Sequence, residues 1–454
     1  MRRGFCFSGR IDTFGAGDRY CDEAQTTGLV VGVRYLKFLN GLINYEKTPR
    51  YNYRLEPFIG FLKRLGSPEK RLKNVIHIAG TKGKGSTAAI LDACLQECGY
   101  RVGLFSSPHL ARVNERIKVN HQEIPDARLQ RYIDRIRGIG RQSGKQTYFE
   151  VLTAAAYLYF TEEQTDFSLL ETGLGGRLDT TNVTVPLISV ITRVGYDHTE
   201  LLGDDLKKIA REKAGIMKPH TPVITTAHQP AAVRQILQRK ADTEKSPLVF
   251  AEELHRSRII EQTFEGTTLH ISGAFGSFTT LLPLVGVHQT ENLVIALAVL
   301  SVLRSMGFGI PASAVEKGIA KTSLRGRLEV IKKNPLVIFD CAHNEDSFRA
   351  LHKTIHDLNF KNFSLIFGAN KDKDISYCLK YIFPEAREVL LVKPRSVRAL
   401  EPYEIYIMAK RYQKRLFIAH SIENSIKYIR NVSKNNKILI TGSFYLWDER
   451  LTGL

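Results

Sequence analysis

The stretch VIHIAGTKGKGSTAAILDACL, residues 75–95, decides the fold of this 454-residue chain. Its first five residues form an apolar, β-branched run typical of a buried strand, and a helical pattern follows from residue 87. Between them lies the glycine-rich segment 80–86. Glycines let backbone N–H groups converge on an anion, and a helix N-terminus adds partial positive charge. The stretch therefore predicts a phosphate-binding loop.

The side chains of this loop favour a nucleotide. Lys84 can reach terminal phosphates, and the Ser86 hydroxyl can contact phosphate or Mg²⁺. The spacing differs from G-x-x-x-x-G-K-[ST], because Ile78 stands where glycine is usual and Gly85 separates Lys84 from Ser86. A surface turn rich in glycine and lysine is the alternative, but the position between strand and helix favours nucleotide binding. We predict that ATP binds at Gly83, Lys84, Gly85 and Ser86.

Apolar runs alternate with helical patterns on both sides of this loop. Because strands separated by helices pair in parallel, the alternation predicts an α/β fold with a doubly wound, mostly parallel sheet. The predicted strands are 75–79, 101–105, 167–171, 186–192 and 221–226, and the predicted helices between them include 87–98, 126–137 and 149–161. Short alternating runs and glycine turns in 248–284 predict a small antiparallel excursion, followed by a long helix from His288 to Met306.

The domain organisation follows from the same patterns. Residues 1–32 show no clear periodicity and are interpreted as a loose N-terminal extension. Residues 33–322 form the ATP-binding central domain, and 323–328 (SLRGRL) are the linker or hinge. Residues 329–454 form a second, smaller Rossmann-like α/β domain, with predicted strands at 336–342, 363–369, 388–393, 415–419 and 437–442.

Composition restricts the class of protein and leaves the partner open. Lys and Arg total 65 against 46 Asp and Glu, a net charge of +19 that favours nucleic acid, an anionic surface or acidic small molecules. The basic residues are spread along the chain rather than clustered. The sequence contains no apolar run of about 18 residues, so we predict no transmembrane helix. Its N-terminal segment is not apolar, so we predict no secretory signal. The six cysteines lack zinc-like spacing, so we expect reduced thiols and a cytoplasmic protein.

Widely separated motifs give the chain a family resemblance. Between about residue 33 and residue 454 it resembles the Mur ligase superfamily, and within it the folylpolyglutamate synthase and dihydrofolate synthase family. The motifs, besides the phosphate loop, are SSPHLARVNERI (106–117), YFEVLTAAAY (148–157), ETGLGGRLDTTN (171–182), GYDHTELLG (195–203), IAREKAGIMK (209–218), GVHQTENLVIA (286–296), RGRLEV (325–330), DCAHN (340–344), GANKDKD (368–374) and TGSFYL (441–446). The resemblance implies a ligase that uses ATP to add L-glutamate to a folate or pteroate through an acyl phosphate.

The resemblance also implies a site with two Mg²⁺ ions. Glu171 ends an apolar strand at the edge where open α/β sheets bind ligands, and carboxylate and hydroxyl oxygens suit Mg²⁺. In the family the matching residues Ser107, Glu171 and His198 are metal ligands, and Lys213 is carbamylated to become an anionic ligand or support. The alternatives are a solvated acid for Glu171, a turn cap for Ser107, a structural histidine for His198 and a solvent-facing lysine for Lys213. Lys84, Lys213 and His198 are the predicted catalytic residues.

Two further sets of residues are implied by the matched motifs. Asn292, Arg327 and Asp340 would contact the nucleotide from both domains, although Asn292 could instead cap a helix start and Arg327 could be a solvated linker charge. The pteroate or folate site would be formed by Phe149, Glu150, Leu178, Asp179 and Thr180. An aromatic ring suits a pterin, but core packing is an equal alternative for Phe149.

Three functions remain compatible with the sequence. The first is folylpolyglutamate synthase, with or without dihydrofolate synthase activity. The second is another Mur-type amide ligase, which the motifs 148–157, 176–182 and 288–292 disfavour. The third is a nucleotide-dependent regulator or nucleic-acid-binding module, suggested by the charge. We expect the first, acting as a monomer on small-molecule substrates without nucleic acid or membrane partners.

Overall fold

The computed structural model describes residues 32–43, 54–140, 146–196, 203, 205–432, 437–448 and 451. Residues 1–31 of the predicted N-terminal extension lie outside this range, and so does His198. The chain folds into two units, each built on a mostly parallel sheet, with a three-stranded antiparallel sheet attached to the first. The predicted fold class is confirmed.

The first unit contains an eight-stranded sheet. Its strands are β1 Val75–Ala79, β2 Val102–Phe105, β3 Ile117–Val119, β4 Gln122–Glu123, β5 Phe167–Glu171, β6 Ile188–Ile191, β7 Val223–Thr225 and β8 Leu248–Phe250. Their spatial order is β4-β3-β2-β5-β1-β6-β7-β8. All neighbouring pairs from β2 to β8 are parallel, whereas β3 and β4 extend the edge in antiparallel fashion. The strand that carries the phosphate loop, β1, therefore lies inside the sheet.

The helices of the first unit are α1 Gly32–Asn40, α2 Glu56–Arg64, α3 Lys84–Glu97, α4 Asp126–Gly140, α5 Tyr148–Glu162, α6 Leu206–Ala214, α7 Ala231–Glu244, α8 Ala251–Leu254, α9 Val287–Ser305 and α10 Ala312–Ala320. One apolar core packs α3 and α9 against Ile76 and Ile78 of β1. A second core packs α5 against the other face of the sheet, through Val75. The sheet is thus covered on both faces, as buried parallel sheets require.

Two predictions about this unit need correction. The helix after the phosphate loop begins at Lys84 rather than at residue 87, so Lys84, Gly85 and Ser86 form its first turn. The segment 248–284 is also not uniformly antiparallel, because β8 pairs in parallel with β7. Only the remainder forms the antiparallel sheet, as β9 His255–Thr263, β10 Gly266–Gly273 and β11 Gly276–Leu282.

The second unit is a six-stranded sheet with its own core. Its elements are β12 Glu329–Lys332, β13 Val337–Phe339, α11 Glu345–Asp357, β14 Phe363–Phe367, β15 Glu388–Leu391, α12 Pro402–Ala409, β16 Leu416–Ile418, α13 Ile422–Val432 and β17 Lys437–Thr441. The order is β12-β13-β17-β14-β15-β16, parallel except for β12, which pairs antiparallel with β13. Among the described helices of both units, none has the length and apolar character needed to cross a membrane.

Candidate functional site

A cavity of about 770 Å³ lies where the two units meet. Its walls come from the phosphate loop, the segment after β5, the start of α9, the segment after β13 and the loop after β17. These segments follow the carboxyl ends of parallel strands or begin helices, which is where open α/β sheets place ligands. Most of the predicted site residues line this one cavity. They are Gly83, Lys84, Gly85, Ser86, Ser107, Phe149, Glu150, Glu171, Leu178, Asp179, Thr180, Asn292, Arg327 and Asp340.

Two glycines determine the shape of the phosphate loop. Gly80 has φ +153°, and a methyl group there would lie 1.9 Å from Thr192 Oγ1. Gly83 has φ +90°, and a methyl group there would lie 2.0 Å from Asn292 Oδ1. Any other residue would meet both backbone strain and a clash at these positions. Asn292 at the start of α9 is thus in close contact with the loop, and its amide donates to Gln289 Oε1 at 2.9 Å.

Two lysine side chains converge on the first residue of the loop. Lys84 Nζ donates to the Gly80 carbonyl oxygen at 3.2 Å, and Lys213 Nζ donates to the same oxygen at 2.8 Å. Lys213 does not line the cavity wall and is only 4% exposed, which removes the solvent-facing alternative for this lysine. The hydrogen bonds bring α6 next to the phosphate loop, although the two segments are more than 100 residues apart.

Glu171 lies opposite Lys84 at the end of β5. Its Oε1 is 4.0 Å from Lys84 Nζ, and its Oε2 accepts a hydrogen bond from the backbone N–H of Ser107 at 3.2 Å. Burial raises the pKa of the Glu171 carboxyl, against the opposing effect of Lys84. The residue is 4% exposed, so the alternative of a solvated acid is wrong. A buried carboxylate that faces a phosphate loop favours a cation at this position.

The oxygen-rich surroundings of Glu171 fit a hard divalent ion. Mg²⁺ prefers carboxylate and hydroxyl oxygens, completed by phosphate and water, and Glu171 and Ser107 offer such donors beside the loop. Gly85 leaves room in front of the carboxylate, since a methyl group there would stand 3.7 Å from Glu171 Oε2. Within the described ranges, no three His, Cys, Asp or Glu side chains gather as a metal site. The predicted ligand His198 lies outside those ranges.

On the opposite wall, Arg327 and Asp340 connect the linker to the second unit. The Arg327 guanidinium lies 5.3 Å from the centroid of the Phe444 ring. Asp340 accepts hydrogen bonds from the backbone N–H groups of Leu328, at 3.0 Å, and Ala342, at 2.8 Å. Burial raises the pKa of the Asp340 carboxyl, which Arg327 opposes. Asp340 therefore holds the linker against β13, and its contact with nucleotide stays a prediction.

The third wall contains the residues predicted to bind folate. The Phe149 ring packs on the Phe105 ring, with centroids 5.5 Å apart, while remaining partly accessible in the cavity. A methyl group on Gly173 would come within 2.6 Å of the Phe149 ring, so ring and loop are in close contact. The Thr180 hydroxyl is 2.8 Å from the Thr153 hydroxyl on α5. An apolar ring beside hydroxyl groups suits a heteroaromatic ligand.

The two acids of this wall have structural partners. Glu150 Oε2 accepts from the backbone N–H of Thr147 at 2.7 Å, and the Thr147 hydroxyl accepts from the Glu150 N–H, which forms a capping box at the start of α5. Asp179 accepts from backbone N–H groups of the segment after β5. Burial raises the pKa of both carboxyls. Their direct contact with substrate stays a prediction.

Several residues that position the site were not predicted. Lys82 Nζ donates to Asn344 Oδ1 across the two units at 3.2 Å. Thr81 and Gly195 exchange two hydrogen bonds of 3.0 Å, which fix the loop after β6. His77 is fully buried in β1. A histidine inside an apolar strand was the signal that could have identified His77, whereas no sequence pattern predicts the partner of Lys82.

Comparison with known proteins agrees with this geometry. The Mur ligase middle domain matches residues 78–300, and the Mur ligase glutamate ligase domain matches 326–444. The chain is 35% identical over 418 residues to the dihydrofolate synthase/folylpolyglutamate synthase of Bacillus subtilis, covering 87% of this chain and 94% of that one. It is 33% identical to the folylpolyglutamate synthase of Lacticaseibacillus casei, covering 85% and 90%.

A solved structure shares the whole architecture. The folylpolyglutamate synthase of Mycobacterium tuberculosis, complexed with ADP and AMPPCP, superposes with a TM-score of 0.81 at 28% identity, covering 92% of this chain and 97% of that one. Escherichia coli FolC in complex with DHPP and ADP gives a TM-score of 0.79 at 29% identity, covering 91% and 95%. Both neighbours carry a nucleotide.

Proposed function

The chain belongs to the folylpolyglutamate synthase and dihydrofolate synthase family of Mur ligases, and from this premise we propose a function and a division of labour for its residues. It is an ATP-dependent ligase that adds glutamate to folates. The proposed acceptor is tetrahydrofolate, and dihydropteroate is a proposed second substrate. Relatives whose names carry both activities support the second substrate, including those of Bacillus subtilis and Escherichia coli.

One observation carries this function: a single cavity joins the phosphate loop to an aromatic wall. Lys84, which lies 4.0 Å from Glu171, and Phe149 both line this cavity. A carboxylate of the folate bound against Phe149 would point toward the terminal phosphate of ATP. The carboxylate oxygen attacks that phosphorus, ADP leaves, and an acyl phosphate remains. The glutamate amine then attacks the acyl carbon, and inorganic phosphate leaves.

The chief electrostatic problem of this reaction is the approach of one anion to another. Lys84 and the N–H groups at the start of α3 offset the phosphate charge. Mg²⁺, held by Glu171 and Ser107 with His198, would add Lewis acidity and further charge neutralisation, and two ions are expected. Enclosure of both reactants in one cavity replaces a bimolecular encounter with a local one. No covalent intermediate on the protein is needed.

Lys213 is proposed to carry a carbamate in the active enzyme. Support comes from its burial and from the 2.8 Å contact of its Nζ with the phosphate loop, where an anionic oxygen would reach the metal region. Replacement by alanine should remove turnover, and a small carboxylic acid such as acetate should restore part of it. A Lys213→Ala enzyme that keeps full turnover without added acid would contradict the carbamate.

The linker 323–328 is proposed as the hinge between an ATP-binding unit, 33–322, and a ligase unit, 329–454. Arg327 in the linker and Asp340, directly after β13, face the same cavity as the phosphate loop, so opening at the hinge would separate them. We further propose that the enzyme acts as a monomer in the cytoplasm. The free thiols of the described cysteines, Cys94, Cys98, Cys341 and Cys378, suit that reducing compartment.

The decisive experiment measures ADP release from MgATP in the presence of L-glutamate and either tetrahydrofolate or dihydropteroate. Release should require glutamate and a folate-type acceptor together. A UDP-muramyl acceptor serves as the matched control, because another Mur-type ligase would use it instead. ADP release that does not depend on tetrahydrofolate or dihydropteroate, or that is stimulated by RNA or DNA, would contradict the proposal.

A further inference from the structure

His77 connects the core of the main sheet to the wall predicted to bind folate. It lies in the middle of β1, is 0% exposed, and has Leu170 of β5 and Ser189 of β6 as its neighbours in the sheet. Its Nε2 is 2.8 Å from the Thr181 hydroxyl oxygen, which belongs to the loop after β5. A polar ring in an otherwise apolar strand is costly to bury, so this contact needs a reason.

The direction of the hydrogen bonds in this contact can be deduced. The Thr181 hydroxyl is 2.5 Å from Asp179 Oδ1, and an ionised carboxylate can only accept. The single hydroxyl hydrogen of Thr181 is therefore used toward Asp179, so the hydroxyl must accept from His77. His77 Nε2 consequently carries a hydrogen. His77 Nδ1 has no hydrogen-bond partner among the described residues, and burial lowers the pKa of the ring to about 3, so the ring is neutral.

Asp179 transfers this restraint to the cavity. Its Oδ1 also accepts from the Thr181 backbone N–H at 3.0 Å, and its Oδ2 accepts from the N–H groups of Gly173 and Leu174, both at 2.9 Å. With only donors around both oxygens, the ionised form of Asp179 is the one that fits. Gly173 in turn touches the Phe149 ring. His77, Thr181 and Asp179 therefore form a row of hydrogen-bonded side chains, which runs from the middle of β1 to the cavity wall.

We propose that His77 is a positioning residue that fixes the folate wall relative to the phosphate loop through the row His77–Thr181–Asp179. The phosphate loop begins at Gly80, three residues after His77 and directly after the last residue of β1. One strand thus places both the terminal phosphate of ATP and the loop that receives the acceptor. The inference rests on the proposed function, since it assigns the cavity wall at 149 and 173 to the folate.

The kinetic test replaces each hydrogen-bonding group in turn. His77→Phe and Thr181→Val should each raise KM for tetrahydrofolate by about five- to tenfold, the effect expected from losing one buried hydrogen bond, while KM for ATP stays within about twofold. The double variant should resemble the singles rather than their product, because both remove the same row. His77→Gln, which keeps an N–H donor, should recover part of the affinity.

Ser189→Ala is the matched control. It removes a buried hydroxyl from the strand beside His77, where Ser189 donates to the Ile216 carbonyl oxygen at 3.0 Å, but it leaves the row intact. A general loss of stability would affect this variant as well, whereas the row predicts an unchanged KM for tetrahydrofolate. Equal changes of KM for ATP and tetrahydrofolate in His77→Phe, or multiplicative effects in the double variant, would overturn the proposal.

A spectroscopic test does not depend on catalysis. In ¹⁵N spectra of the ligand-free protein, His77, assigned by its absence in His77→Phe, should show the neutral tautomer with hydrogen on Nε2 from pH 5.5 to 7.5. The tautomer with hydrogen on Nδ1, or a protonated ring, would refute the row. If the wild-type enzyme released no ADP with folate and glutamate, the proposed function would fail, and this measurement would still decide the direction of the hydrogen bonds.

Discussion

Lys82 Nζ donates a hydrogen bond of 3.2 Å to Asn344 Oδ1, and this bond joins the phosphate loop of the first unit to the second. Asn344 is also the N-cap of α11, where its side chain accepts from the Ser347 N–H at 3.0 Å. The same amide oxygen thus caps the start of α11 and accepts the hydrogen bond from the phosphate loop. We therefore expect nucleotide binding and the approach of the two units to be coupled at this contact.

Replacement of Lys82 by methionine should therefore impair closure rather than folding. We expect kcat to fall by about two- to tenfold, because loss of one partly solvent-exposed hydrogen bond of 3.2 Å amounts to roughly 1 kcal/mol. Asn344→Ser keeps a capping oxygen but shortens the acceptor, so it should reproduce the kinetic loss with little change in Tm. Asn344→Ala should lower Tm as well. Normal kcat in both Lys82→Met and Asn344→Ser would show that the bond has no part in closure.

Lys84→Ala should reduce kcat by at least about a hundredfold, since its ammonium is the loop cation closest to the expected terminal phosphate. The loop should keep its shape, because the Gly80 carbonyl oxygen still accepts from Lys213. Steady-state ADP release and circular dichroism provide the two measurements. Lys321→Ala, which removes an exposed lysine paired with Glu97, is the control and should be neutral. Turnover that persists in Lys84→Ala would count against the loop assignment.

Gly83→Ala should weaken ATP binding by more than tenfold. The new methyl group would meet Asn292 Oδ1 at 2.0 Å on a backbone with φ +90°, so loop and α9 must separate. Titration with a fluorescent ATP analogue measures the loss. Gly60→Ala in α2, where nothing lies within 4 Å of the new methyl group, should instead stabilise the protein by about 0.5–1 kcal/mol. Undiminished nucleotide affinity in Gly83→Ala would show that the loop tolerates the strain.

Glu171→Gln should remove the effect of Mg²⁺ on nucleotide binding. In the wild-type enzyme, ATP with Mg²⁺ should raise Tm more than ATP with EDTA, whereas in the variant the two increments should be equal. Glu150→Gln is the matched control, because it changes a buried carboxyl of the same cavity while glutamine keeps the capping box. A Mg²⁺ increment that survives in Glu171→Gln would remove this carboxylate from the metal site.

His77 should make stability depend on pH. Its pKa is lowered from 6.5 to about 3 by burial, so between these values the unfolded chain binds a proton that the folded chain does not. The free energy of unfolding therefore rises with pH across this window. As the pH falls from 6.5 toward 3, the protein becomes less stable. His77→Phe should reduce the slope between pH 4.5 and 5.5 by about 1.4 kcal/mol per pH unit, measured by urea unfolding.

Two other histidines with lowered pKa values also contribute to this slope. His255 and His288 have pKa values lowered to about 4, so they keep a slope of the same sign in His77→Phe. Ser189→Ala should preserve the wild-type slope even where it lowers overall stability. An unchanged slope in His77→Phe would mean that the ring titrates in the folded protein much as it does in the unfolded chain.

Much of the fold was predictable because buried parallel strands are continuous apolar runs and the loops that follow them meet at one edge. Glu171 was predicted to face the phosphate loop on this argument, and the structure brings it to 4.0 Å from Lys84. The short strands β3 and β4, which extend one end of the sheet, escaped prediction, since three and two residues carry no periodicity. Whether β8 joins the parallel or the antiparallel sheet depends on tertiary pairing. The sequence of β8 alone therefore could not predict its sheet.

The features that could not be predicted from the sequence depend on contacts between distant segments of the chain. The partners of Asp179 and Asp340 are backbone N–H groups, which no side-chain pattern reveals. The start of α3 at Lys84 depends on the left-handed conformation of Gly83, which precedes it. Lys213 was expected from its motif alone, and its hydrogen bond to Gly80 joins segments 133 residues apart.

The hydrogen bond between His77 and Thr181, which joins the loop after β5 to β1, has a consequence for the range of acceptors. On the proposed assignment of this loop to the folate, we expect that Leu178 and Thr180 can be exchanged without disturbing the nucleotide, provided that the carboxylate at 179 and the hydroxyl at 181 are retained. New pterin preferences could then arise from a few substitutions in this loop, while the residues at 179 and 181 stay unchanged. Swapping this short segment between relatives is accordingly a practical route to ligases with altered folate selectivity.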